Sequence, residues 1–251
     1  MSLRISLGGD IPHYLGAIGL LNALSEKKVT EREDLEIHCS GFSCIPLILW
    51  TYQRNNSYSI LSTMWGEASK FFKGISKPSL PDIGKDILLL YKMQKKVDLE
   101  SSRQKLSEFV EKWIPNVEIE EHDKIKIHAF NLDKKQNEIL YGNAREVLIH
   151  ALPYPIDFAP VDGYISSSWV VGIPEGDGII YIDWYVPFEP RRATDFLLMA
   201  TFARTSSLIK RVTEKAKATV SIRLSGSAFT DFRYVSNRFY LAGKELIEKC
   251  L

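Results

Sequence analysis

Each thing this sequence lacks closes off a class of protein. It has only 3 cysteines, Cys39, Cys44 and Cys250, an odd number without the spacing of a metal knuckle or a disulfide framework. Cys39 and Cys44 sit in a buried-looking strand and turn and read as core thiols, which fits a reducing compartment. Neither charge sign is in excess: 32 Lys and Arg stand against 31 Asp and Glu. That balance provides no electrostatic reason to expect nucleic acid or an anionic membrane as a general partner. No apolar run reaches the ~18 residues that would suggest a membrane span, and Met1 leads straight into a strand-like run with no charged-then-apolar leader. The expectation is a soluble, cytoplasmic protein with no transmembrane segment. Internal repeats, low-complexity tracts and Gly/Ser-rich linkers are also missing.

What remains is an ordinary globular composition. The 251 residues are 45% apolar and 25% charged, enough for a full core in one α/β domain spanning residues 1–251. Leu3, Ile5 and Leu7 alternate with polar residues and predict a strand, and Leu35, Ile37 and Cys39 predict a second. Between them Leu15, Ile18, Leu21 and Leu24 recur every three residues, predicting an amphipathic helix over Tyr14–Leu24. Gly16, Ala17, Gly19 and Ala23 keep it slim for close packing. Pro46 opens the next helix, a position where proline is tolerated.

From residue 55 to 123 Lys and Glu become frequent. Helices are predicted at Ile87–Met93 and around Leu106–Trp113, the latter ending before Pro115, and together they read as a helical insert with a solvated charged face. Strands follow at Ile125–Phe130 and Glu138–Tyr141, then a helix at Ala144–Leu152 and an extended, proline-rich Pro153–Pro160. A strand at Gly178–Val186, a helix at Thr194–Lys217, a strand at Ala218–Leu224 and a closing helix at Phe232–Lys249 complete the chain. Alternating strands and helices predict a three-layer α/β/α fold with a mostly parallel sheet.

Two strand-to-helix turns carry the chemical signals. Gly8-Gly9-Asp10 is a glycine loop of the kind that presents backbone N–H groups to an anion. Gly41-Phe42-Ser43 is half of the G-x-S-x-G nucleophile elbow. Ser43 is either a nucleophile or a small residue at a tight turn, and His13 reads as a surface or turn histidine. Nucleotide or phosphate binding at Gly8-Gly9 is a weaker alternative, because Gly16 completes no G-x-G-x-x-G and no P-loop lysine follows.

In order and spacing these pieces resemble the patatin-like phospholipases over nearly the whole chain. The resemblance is carried by Gly19-Leu20-Leu21-Asn22-Ala23-Leu24-Ser25-Glu26 for the family's G-V-L-x-A-L-x-E and by Gly41-Phe42-Ser43-Cys44-Ile45 for G-T-S-A-G. It continues in Ala129-Phe130-Asn131-Leu132 for A-T-D-L and in Tyr141-Gly142-Asn143 near the F-x-x-G segment. Pro155-Ile156-Asp157-Phe158-Ala159-Pro160-Val161 then resembles P-x-x-F-P-P-V, and Tyr164-Ile165-Ser166-Ser167-Ser168 stands in the place of Y-V-D-G-G. The late strand Ala218–Ile222 and Ala242-Gly243-Lys244 are also in place.

The resemblance implies lipid acyl-ester hydrolysis by a Ser–Asp dyad, with Ser43 as nucleophile, an oxyanion loop at Gly8 and Gly9, no cofactor, no metal, and an acyl lipid or small ester as ligand. It also implies that the insert at 55–123 forms a lid. Three departures point to an inactive or weakly active member. Ile45 replaces the elbow's second glycine. Ser166 stands at the dyad aspartate, leaving Asp162 as the substitute base or a simple turn residue. Asp10 and Pro12 put a negative charge and a missing donor into the oxyanion loop. Cys44, beside Ser43 with no evident histidine partner, is expected to be inert.

Overall fold

A computed structural model describes residues 2–76, 99–153, 158–183, 193–224 and 231–251. The predicted helix at Ile87–Met93, residues 154–157 of the proline-rich run and the end of the strand at 184–186 lie outside these residues. Among the described residues the centre is a seven-stranded, mostly parallel sheet with helices on both sides.

β1 (Leu3–Ser6) lies between β2 (Leu35–Ser40) and β8 (Gly178–Ile182), parallel to both. β4 (Ile125–Asn131) runs parallel beyond β2, and β9 (Ala218–Ile222) parallel beyond β8. The antiparallel β5 (Gln136–Leu140) closes the β4 side. β3 (Glu118–Ile119) and β6 (Gly142–Asn143) form a small separate pair.

β7 (Tyr164–Ser166) shapes the site. β2 pairs with β4 as far as Ser40↔His128, and β7 continues along β4 antiparallel from Ala129↔Ser166. The end of β7 therefore arrives where β2 stops.

Strand alternation gives the sheet one apolar and one polar face. Ile5, Ile37, Cys39, Ile127 and Ala129 join one core with α1 (Ile11–Glu26), α2 (Cys44–Tyr52), α5 (Ala144–Ala151) and α8 (Phe232–Cys250). On the other face Ile179 packs on Val212 of α7 (Ala193–Thr213), while β1, β2 and β4 present Arg4, Ser6, Glu36, His38, Ser40, Lys126 and His128. The helices α3 (Ser57–Ser76) and α4 (Leu99–Trp113) lie within the segment read as an insert, and the four-residue α6 (Ser167–Val170) follows β7.

The expected amphipathic helix Tyr14–Leu24 is instead buried on nearly every side, because α1 is sandwiched between the sheet and α8. Its glycines permit the crossing: a Cβ on Gly19 would fall 1.9 Å from the Ser236 carbonyl oxygen, and one on Gly16 would fall 2.1 Å from Phe239 Cδ2. Backbone cannot yield as a side-chain tip can. Gly19→Ala is therefore expected to destabilise the fold by about 3 kcal/mol, the upper end of the usual overpacking cost. A lowered urea midpoint at unchanged m-value would register it.

Candidate functional site

The first turn leaves β1 at Gly8-Gly9 and enters α1 through Asp10. Asp10 caps the helix, its carboxylate accepting from the His13 backbone N–H at 3.0 Å. The same oxygen lies 2.5 Å from His13 Nδ1, and His13 Nε2 lies 3.1 Å from the Ile180 carbonyl oxygen. Both ring nitrogens thus face acceptors, so the ring is fully satisfied only as an imidazolium donating from each side. Burial works to lower its pKa, for His13 is 1% exposed, but the Asp10 charge and hydrogen bond and the Ile180 carbonyl hold it above its ordinary value.

This pair accounts for both unusual features of the loop. A Cβ on Gly8 would sit 2.8 Å from His13 Cε1, so Gly8 makes room for the ring. The N-terminus of α1, where a phosphate or oxyanion would be bound, already carries the Asp10 carboxylate.

Gly9 presents an acceptor to the second turn. Its carbonyl oxygen accepts from the Phe42 N–H at 3.1 Å and lies 2.8 Å from the position a Cβ would take on Gly41. A developing oxyanion requires N–H groups at such a place, and a carbonyl oxygen would repel it. A Cβ on Gly9 would also lie 2.5 Å from Ser168 Oγ and 2.6 Å from the Ser40 carbonyl oxygen, so the loop is packed on its neighbours.

In the second turn the left-handed backbone falls on Gly41, at φ +55°. Ser43 has helical dihedrals (φ −69°, ψ −16°), is 0% exposed, and its Oγ donates to the Ser40 carbonyl at 3.0 Å. Ile45 packs in the core at the start of α2. The Cys44 thiol is pushed well above its ordinary pKa by burial and by its neighbour Cys39, which makes it a poor nucleophile.

Ser166, the residue expected at the dyad-aspartate position on the sequence resemblance, is brought by the fold to this turn. Ser166 Oγ and Ser168 Oγ are 2.8 Å apart and lie 2.9 and 3.0 Å from where Gly41 would carry a Cβ. Gly9, Gly41, Ser166 and Ser168 therefore converge at the ends of β1, β2 and β7.

Asp162 occupies a turn before β7, at φ +48°, with its side chain 55% exposed and bound to Arg103 Nη1 of α4 at 2.5 Å and to His150 Nε2 of α5 at 2.9 Å. Hydrogen bonds from His150 and then Arg103 hold its carboxyl below the usual range. Among the described residues no hydrogen bond links Asp162 to Ser43, and no group of three His, Cys, Asp or Glu could hold a metal ion.

Three groups near this end of the sheet carry no motif in the sequence: Ser40 Oγ, buried and without a hydrogen-bond partner among the described residues, and the paired His38 and His128. The available signal was period-two polarity, Glu36-His38-Ser40 and Lys126-His128, within otherwise apolar strands.

No protein-family model and no curated protein matches the chain. Among solved structures, the crystal structure of VipD from Legionella pneumophila aligns at a TM-score of 0.46 and 10% identity, covering 99% of this chain and 67% of that one. Among the described residues, no helix is long and apolar enough to cross a membrane.

Because its pKa is raised on folding, His13 contributes stability that is fully present below its ordinary value of 6.5 and lost as pH rises through the folded value. Urea midpoints measured from pH 6 to 9 are expected to fall in the native chain. Asp10→Ala should remove that fall and cost about 3 kcal/mol at pH 6, through loss of the cap and of the partner to a buried cation.

Proposed function

We propose that this chain is a patatin-like α/β protein that keeps the architecture of an acyl hydrolase without its turnover, and that it acts as a binding protein for an acyl lipid or small ester. One observation carries this proposal: the proton of Ser43 is given to the Ser40 main-chain carbonyl, in relaxed helical backbone, with no exposed surface. A serine becomes a nucleophile when a base takes its proton, and an amide carbonyl is no such base. The Gly9 carbonyl, the Asp10 carboxylate and the Ser166–Ser168 pair support the same conclusion, each replacing a part that ester hydrolysis needs with one that opposes it or leaves it out.

A working hydrolase with Ser43 as nucleophile and Asp162 as base would have to release Asp162 from both Arg103 and His150 and unbury Ser43. Hydrolysis of p-nitrophenyl butyrate and of phosphatidylcholine vesicles separates the two cases. Native chain, Ser43→Ala and Asp162→Asn should all stay at the buffer rate, while a fluorescent fatty acid still binds the native chain saturably. A rate that falls 100-fold or more in Ser43→Ala would establish the hydrolase instead.

A further inference from the structure

On the polar face of the sheet, five side chains from four elements form one continuous hydrogen-bonded line that the serine turn does not use. His38 of β2 and His128 of β4 are buried, with His38 Nδ1 2.8 Å from His128 Nε2. His128 Nδ1 is 2.7 Å from Asn137 Nδ2 of β5, and Asn137 Oδ1 is 2.5 Å from Ser167 Oγ at the start of α6. At the other end His38 Nε2 is 3.3 Å from Glu36 Oε2.

The donors and acceptors fix the direction of every bond. The Asn137 amide can only donate from Nδ2, so His128 Nδ1 must be the bare nitrogen and Nε2 the protonated one. His128 Nε2–H then donates to a bare His38 Nδ1, and His38 Nε2–H donates to Glu36. Ser167 O–H donates to Asn137 Oδ1. Every bond runs from Ser167 toward Glu36, and both imidazoles are neutral.

We propose that this line is a proton-driven switch, in which one proton taken up by the histidine pair reverses the bonds between His38 and Ser167 and turns Ser167 from donor to acceptor. The pair then holds three protons in place of two, the third coming from solvent. His38 carries protons on Nδ1 and Nε2, and its charge rests beside the Glu36 carboxylate. His128 keeps a single proton, now on Nδ1, and accepts from His38 at Nε2. The Asn137 amide rotates to set Oδ1 against the His128 Nδ1–H and its NH2 against Ser167, whose hydroxyl must accept and release its own hydrogen elsewhere.

The surrounding charges favour this arrangement over a charged His128. Glu36 faces His38 from its own strand, Arg4 approaches from β1, where it lies against Asp177, and Lys126 from β4, where its Nζ donates to the Glu121 carbonyl and lies over Tyr141. His128 is held down to about 3, by burial and then by the charge on His38, while burial lowers His38 less completely because Glu36 opposes it. The proton therefore settles on His38, and the switch operates below pH 6.5, the ordinary histidine value. Its output falls on Ser167, whose neighbours Ser166 and Ser168 line the closed turn at Gly41.

Nuclear magnetic resonance of the full chain, uniformly labelled with nitrogen-15, reads the switch directly. At pH 7.5 long-range imidazole correlations should show both rings protonated on Nε2 alone. On acidification the His128 proton should appear on Nδ1, and the Ser167 backbone amide should shift with the same midpoint. Asn137→Leu should leave the histidine pair titrating but abolish the Ser167 shift. The proposal is overturned if His128 carries its proton on Nδ1 at pH 7.5, if the rings titrate without a tautomer change, or if the native Ser167 amide does not follow them.

Discussion

Two strand-to-helix turns have to pass each other, backbone against backbone, at the ends of β1 and β2, and much of the site follows from that contact. The Phe42 N–H reaches the Gly9 carbonyl, Gly41 takes the left-handed conformation, and Ser43 is delivered into a helix with its hydroxyl folded onto Ser40. Glycine is needed at Gly8, Gly9 and Gly41 because a His13 ring, two serine side chains and two main-chain oxygens occupy the space that side chains would take. A glycine-rich loop of this sort looks in sequence like an anion cradle. Here it accommodates an internal ion pair and a close crossing.

The charges follow from the same economy. A buried imidazolium at His13 is tolerated because Asp10 and Ile180 satisfy both of its nitrogens, and Asp10 would otherwise leave a negative charge with little to do beyond capping α1. On the opposite face of the sheet the buried histidines are neutral, since each supplies the donor or acceptor that the other lacks. The two solutions pull stability in opposite directions with pH, one favouring the protonated ring and the other the bare one.

Much of this could be read from the residues in order. Alternation at Leu3, Ile5 and Leu7, small residues at Gly16 and Gly19, and the stop at Pro115 located elements that the structure contains, and Ser166, singled out in the sequence, lies at the second turn. Local periodicity could not supply partners. Nothing near Asp162 in the sequence announces Arg103, 59 positions away, and His38 and His128 are 90 apart. The burial of α1 on nearly every side was equally hidden, because it depends on α8 at the far end of the chain.

Ser43 is relaxed, buried and, among the described residues, without a base, and covalent reactivity tests this claim most directly. Incubation of the full chain with a fluorophosphonate, followed by intact-protein mass measurement over several hours, should leave the mass unchanged. A stoichiometric adduct mapped to Ser43 would contradict the claim.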